Sequence, residues 1–329
     1  MLLRVGRHSS CRQGPHLGTG RRKIGFYQQQ PHIQSEIASL ATNSTASDVI
    51  VLDFDGVLVD SEPEITASAL VAARERWPQA FSHLNLDREA AVKEKMRIVR
   101  PVLVRGFESM VMLRMLVEDL NNANKILENW SQVLPAQLDM YGETQADLSA
   151  LYERVRNSWM TEKPESWMQL HKEYPGVTDA LRECPYPLYF ASSKAGHRVS
   201  ALMRAVMDLE VPKSSPSLYA SLIPPEEAKA DALRSIMTQP VCKGVGASLH
   251  FVDDRLETLL AIQKDPGLAS KWKLYLASWG YCTSQEVTTA ARTSGITILN
   301  LNGFKELLRF GLVMSVHDVC EPVQLEVEQ

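Results

Sequence analysis

Asp53 and Asp55 stand one residue apart where an apolar run ends, in the stretch "VIVLDFDGVLVDSEPE" of residues 49–64. Carboxylates at the end of a buried strand cost on the order of several kcal/mol unless something cationic meets them. Three other stretches end in groups that could do so or share the need. "PLYFAS" runs into Ser192 and Ser193, "SLHFVDD" ends in Asp253 and Asp254, and "PPEEAKADAL" places Lys229 near the start of a helix ahead of that strand. Gathered in one cleft, the four carboxylates would repel unless a divalent cation bridged them, and hard oxygen donors point to Mg2+. Lys229 would neutralise part of the remainder, with Lys194 and Lys213 as alternative sources of that charge. Ser192 and Ser193 read either as the cap of the helix "SKAGHRVSALM" or as anion ligands beside its N-terminus.

The elements that must position these groups follow from the apolar pattern. Strand candidates at 49–54, 187–192, 248–254, 273–278 and 296–301 alternate with helical segments, which predicts an α/β, Rossmann-like parallel sheet. Four of the five are near-continuous apolar runs, as strands covered on both faces require. In such a sheet reactive groups collect at the carboxyl ends of the strands, where Asp53, Asp55, Ser192, Asp253 and Asp254 fall. Between the first and second strands, residues 61–170 carry only helical signals, with apolar residues recurring at spacings of three and four. The expected organisation is therefore a sheet domain of 48–60 and 171–315, an inserted all-helical cap of 61–170, a leader of 1–47 and a tail of 316–329. Within the insertion, "VRPVLVRGFESM" carries Arg100, Arg105 and Glu108, which face either a substrate or solvent, the commoner fate of helix charges. Asp60, His197 and His250 read as structural.

The chain has 329 residues, 45% hydrophobic and 22% charged, with a net charge of −4. This fits a soluble globular protein with one large or two modest cores. No run approaches the roughly 18 to 20 apolar residues of a membrane helix, and no basic stretch interleaved with aromatics points to nucleic acid. The five cysteines, Cys11, Cys184, Cys242, Cys282 and Cys320, have no metal-binding spacing and read as free thiols in a reducing compartment. In the first 48 residues six basic groups face only Glu36 and Asp48 amid Ser, Gly, Gln and Thr. This composition is that of an organelle transit peptide, chloroplast before mitochondrion, with an extension bearing no address as the alternative.

With these residues in view, the chain resembles the haloacid dehalogenase (HAD) superfamily of hydrolases over about residues 48–310. The first motif, DxDGxLxDS, spans Asp53 to Ser61; Ser192 is similar to the second, Lys229 to the third and "VDD" of 252–254 to the fourth. "YPGV" at 174–177 resembles the return from cap to core in the helical-cap subgroup. The resemblance implies that Asp53 is a nucleophile forming an aspartyl-phosphate. It implies that Asp55 protonates the leaving oxygen, later activates water and offers its backbone carbonyl to the metal. It also implies that Ser192 and neighbouring amides hold phosphate oxygens, that Lys229 neutralises charge, and that Asp253 and Asp254 bind Mg2+. An acid at position 55 favours phosphoryl transfer, since a halide leaving group needs no proton. The expected activity is an Mg2+-dependent phosphatase acting on a small phosphorylated metabolite. A sugar-phosphate mutase and a non-catalytic binding protein are the alternatives, and the oligomeric state is open.

Overall fold

The computed structural model describes residues 48–244 and 246–313; the expected leader and C-terminal tail lie outside the described residues. Among the described residues there are eight strands: β1 (Val49–Leu52), β2 (Val59–Asp60), β3 (Lys172–Glu173), β4 (Leu188–Ala191), β5 (Leu218–Tyr219), β6 (Leu249–Asp253), β7 (Trp272–Ala277) and β8 (Ile296–Leu299). Six form a parallel sheet in the order β5-β4-β1-β6-β7-β8. All five expected strands are found there. β5 escapes the sequence reading because two residues carry no measurable period.

β1 is central and wholly buried, and its side chains alternate between two cores. Ile50 and Leu52 pack with the helices Val177–Glu183, Gly196–Met207 and Leu301–Phe310 through Leu181, Leu202 and Phe304. Val49 and Val51 pack with the helices Pro225–Met237 and Leu256–Lys264 through Leu233 and Leu259. Helices on both faces are what turn a period-two alternation into a continuous apolar run.

Between β2 and β3 every described element is helical: Glu62–Arg76, Pro78–Phe81, Leu86–Val99, the 3-10 turn Arg100–Val102, Glu108–Glu118, Asn122–Tyr141, Gln145–Glu162 and Pro164–Met168. Residues from Ile65 to Val155 form an apolar core of their own. Trp167 instead packs with the sheet, joined by the partly buried Trp159, Met160 and Met168. The two connections to the sheet pair with each other as an antiparallel ribbon, Val59 opposite Glu173 and Asp60 opposite Lys172. No period in two residues signals this pairing from the sequence.

Candidate active site

Leu52 is in register with Phe190 on one side and Val252 on the other, so Asp53 emerges where β4 and β6 also end. This is the point where the strand order reverses, the place at which open α/β sheets form a crevice. The Asp53 backbone N–H donates to the Val252 carbonyl at 2.9 Å, and its Oδ1 accepts from the Phe54 N–H at 2.7 Å. The helix Pro225–Met237 brings in Lys229, whose Nζ lies 2.7 Å from Asp53 Oδ2 and 2.7 Å from Asp253 Oδ2. Lys229 is only 1% exposed. Burial works against its charge, but Asp253 and Asp53 outweigh it and hold the ammonium above the ordinary lysine value. Lys213 is exposed and takes no part.

Asp253 Oδ1 accepts from the Arg255 N–H at 2.9 Å, and Asp254 Oδ2 from the Tyr281 N–H at 2.7 Å. One oxygen from each of Asp53, Asp253 and Asp254 lies within 4.8 Å of the others, all three residues being buried. Burial pushes the Asp53 carboxyl up to about 7, Lys229 opposing and the neighbouring acids adding to the rise. Burial and then Asp253 raise Asp254 to about 6. Three carboxylates against one ammonium leave an uncompensated negative charge, and all the donors are hard oxygens. The residues therefore fit a divalent cation such as Mg2+.

Asp55 turns away from this cluster. Its Oδ1 accepts from the Ser61 hydroxyl and lies 3.3 Å from Lys194 Nζ. Burial opposes its ionisation, yet Lys194, the Ser61 hydroxyl, Arg100 and His171 prevail and hold the carboxyl below its ordinary value. The Asp55 carboxylate is thus separate from the metal-type cluster, which leaves the backbone carbonyl for any metal contact. Between the two halves lies Gly56, at φ +80, where a Cβ would collide with the Asp254 carboxylate; a Cβ on Gly280 would strike Asp254 and the Gly56 carbonyl. The glycine of the motif is thus required by backbone conformation and by the closeness of Asp254.

Ser192 is fully buried, and its Oγ accepts from the Lys194 N–H at 3.2 Å. Ser193 is half-buried. The helix that follows begins at Gly196 with Ala195 as N-cap and no side-chain cap, so neither serine caps it. His197 is exposed. His250 is buried, with Nδ1 3.0 Å from the Tyr275 hydroxyl, consistent with a structural part. Asp60, in the β2–β3 ribbon, accepts from the Tyr281 hydroxyl at 2.7 Å and the Glu62 N–H at 3.0 Å.

Three features were not foreseen. Glu108 faces neither substrate nor solvent: it is buried and accepts from the Trp130 indole at 2.9 Å and the Val104 N–H at 3.1 Å. Arg100 lies with its guanidinium 3.8 Å from the centre of the Tyr281 ring, and its charge reaches both Asp55 and Asp254. Behind Lys194, Glu64 accepts from Arg156 at 2.6 and 2.9 Å, Trp167 Nε1 at 3.0 Å and Ser68 at 2.7 Å. No spacing signal joins Glu64 to a partner 92 residues away.

No protein-family model matches the chain, and no curated protein matches it. Solved structures do. The fold is similar to that of HAD-type hydrolases. A predicted phosphatase from Clostridium acetobutylicum is 12% identical, with a TM-score of 0.47 over 80% of this chain and 98% of its own. A predicted phosphoglycolate phosphatase from Haemophilus somnus is 15% identical, with a TM-score of 0.46 over 82% of this chain and 100% of its own. A HAD family hydrolase from Deinococcus radiodurans with bound phosphate and sodium is 14% identical, with a TM-score of 0.39 over 80% and 95%.

Proposed function

We propose that the protein is a phosphoric monoester hydrolase that cleaves a small phosphate ester through a phosphoryl group carried on Asp53. The observation that carries this reading is the pairing of Asp53 with Lys229 at the carboxyl end of the central strand, with a second, separately held acid two residues on.

In the first step an Asp53 carboxylate oxygen attacks phosphorus, the new O–P bond forming as the ester O–P bond breaks. Asp55 gives a proton to the departing oxygen. With its partners Lys194 and Ser61, Asp55 rests in the ionised form. The proton reaches it from the ester, whose second ionisation lies near pH 6, while the arriving phosphate competes for Lys194 and so weakens what keeps Asp55 charged. In the second step ionised Asp55 takes a proton from water, water attacks the phosphorus, and Asp53 is released with inorganic phosphate. Ser192 accepts from the Lys194 N–H, which leaves its own hydroxyl proton for a phosphate oxygen. Lys229 opposes the burial that disfavours the nucleophilic, ionised form of Asp53. Mg2+, held by Asp53, Asp253 and Asp254 with the Asp55 carbonyl, would supply neutralisation of charge on the transferring phosphoryl group.

The test is a panel of phosphate esters with and without Mg2+, followed by acid-quench trapping and peptide mass spectrometry. Turnover that needs Mg2+, a phosphoryl group on the Asp53 peptide and background activity in Asp53→Asn are expected. A phosphoryl group on Ser192 or a histidine, or full activity in Asp53→Asn, overturns the assignment.

A further inference from the structure

Arg100 belongs to the helical insertion, in the 3-10 turn Arg100–Val102, yet it rests on a residue of the sheet domain. Tyr281 is pinned at both ends. Its N–H donates to Asp254; its hydroxyl donates to Asp60 and accepts from the Ser61 and Glu62 N–H groups at 2.7 and 3.0 Å. The ring is therefore a fixed platform beneath the Arg100 guanidinium.

What Arg100 lacks is an acid. Several other arginines have one: Arg97 lies 3.5 Å from Glu62, Arg156 2.6 Å from Glu64, Arg198 2.5 Å from Glu153 and Arg255 3.0 Å from Glu257. No carboxylate of a described residue comes within the 4.0 Å that would make such a pair with Arg100. Its one hydrogen bond is a long one, 3.4 Å to the Leu103 carbonyl, and its buried Nε has no partner. A guanidinium held over a ring still carries N–H donors, whose fork matches an oxyanion. Asp55 and Asp254, the acids nearest in charge, are already held by Ser61, Lys194 and Tyr281.

We propose that Arg100 determines specificity by pairing with a second anionic group, a carboxylate or a second phosphate, on the leaving portion of the substrate. This rests on the phosphatase reading, and it names the substrate class: phosphate esters whose alcohol carries its own negative charge. The group would enter from the side of the insertion, while the reacting phosphate lies among Asp53, Asp55 and Ser192.

The experiment compares kcat/KM across matched esters: a carboxylated two-carbon phosphate against the same ester with a hydroxyl in place of the carboxylate, and a sugar bisphosphate against the monophosphate. An aryl phosphate reports hydrolysis itself. The wild-type chain should favour one anionic ester at least tenfold over its uncharged match, and the arm that shows it identifies the anion. In Arg100→Gln that preference should fall on the order of 10- to 100-fold, mostly through KM, as the loss of a charge-assisted pair requires. Arg100→Lys should recover only part, since an ammonium lacks the fork. Turnover of the aryl phosphate with no preference in either wild-type pair overturns the inference and leaves the phosphatase reading standing. So does a preference that survives Arg100→Gln. No turnover of any ester removes both. Should Arg100→Gln fail to fold, the wild-type pairs and Arg100→Lys decide.

Discussion

Asp53, Asp55 and Asp254 share a residue type and differ in what meets each one, so their replacements should differ in kind. Asp55→Asn removes a proton carrier, worth on the order of 10² to 10⁴ in rate, and leaves the Lys229 pair intact. An activated aryl phosphate needs little protonation, so its first step should survive while phosphorylated Asp53 accumulates; rapid-quench kinetics should show a burst near one equivalent followed by slow turnover. Asp254→Asn removes an acid that burial and Asp253 raise to about 6. It should raise the Mg2+ concentration needed for half-maximal activity at least tenfold, with recovery at high Mg2+, and should shrink the thermal shift that Mg2+ produces. The strand-end acids were legible in the sequence because covalent adjacency to an apolar run fixes where they emerge. Lys229 was legible only as one of three candidate lysines, beside Lys194 and Lys213, because no apolar run fixes where its side chain emerges. Arg100 was not: its place depends on how the helices of the insertion pack, and a charged residue beside a helix looks the same whether it meets solvent or a cleft.

At the scale of elements, the insertion and the sheet are held by buried charge as well as by the paired hinge. Glu64 and Arg156 join two helices of the insertion, and Glu64 Oε2 lies 3.7 Å from His171, beside the return strand. Replacing Glu64 by Gln strands a buried guanidinium, a loss of about 3–5 kcal/mol in such cases, measurable by urea unfolding. The same network sets an acid limit. Burial and Lys194 hold His171 down to about 4 from 6.5. The unfolded chain therefore binds the extra proton first, and stability present above pH 6.5 declines as pH falls toward 4. Glu64, held well below its ordinary value despite burial because Arg156 outweighs it, adds a loss that begins below about pH 4.5. Asp53 and Asp254, raised by burial to about 7 and about 6, pull the other way over this range, so the effect is read as a difference: the stability advantage of the wild-type chain over His171→Asn in melts should shrink by on the order of 2 kcal/mol as pH falls from 6.5 toward 4. Arg198 of the sheet domain donates to Glu153 at 2.5 Å and to Asn157 at 2.8 Å in the insertion. Arg198→Ala should speed hydrogen exchange in Gln145–Glu162 while leaving the strands protected. The five long strands could be read from composition. The hinge ribbon and β5 could not, because two-residue strands exist only through their partners.

For the molecule as a whole, the acid-poor composition of the first 46 residues motivates a truncation. A chain starting near Ala46 should keep its activity and unfold with undiminished cooperativity in calorimetry; a broadened transition would count against that. The order of the sheet has a consequence for how the chain reaches this state. β1 is the first described strand to be synthesised, yet its partners arrive much later: Ile50 pairs with Leu188, and β6 completes the other side. A helical insertion spanning more than a hundred residues, closed by contacts of its own, separates the central strand from its neighbours. Local contacts form quickly and distant parallel pairing slowly, since chain closure must come first. On the ribosome "VIVL" therefore waits unpaired while the insertion folds, an exposed sticky edge for the longest part of synthesis and a natural client for a holding chaperone. In refolding from urea, far-ultraviolet helical signal should return before burial of Trp272 and before activity.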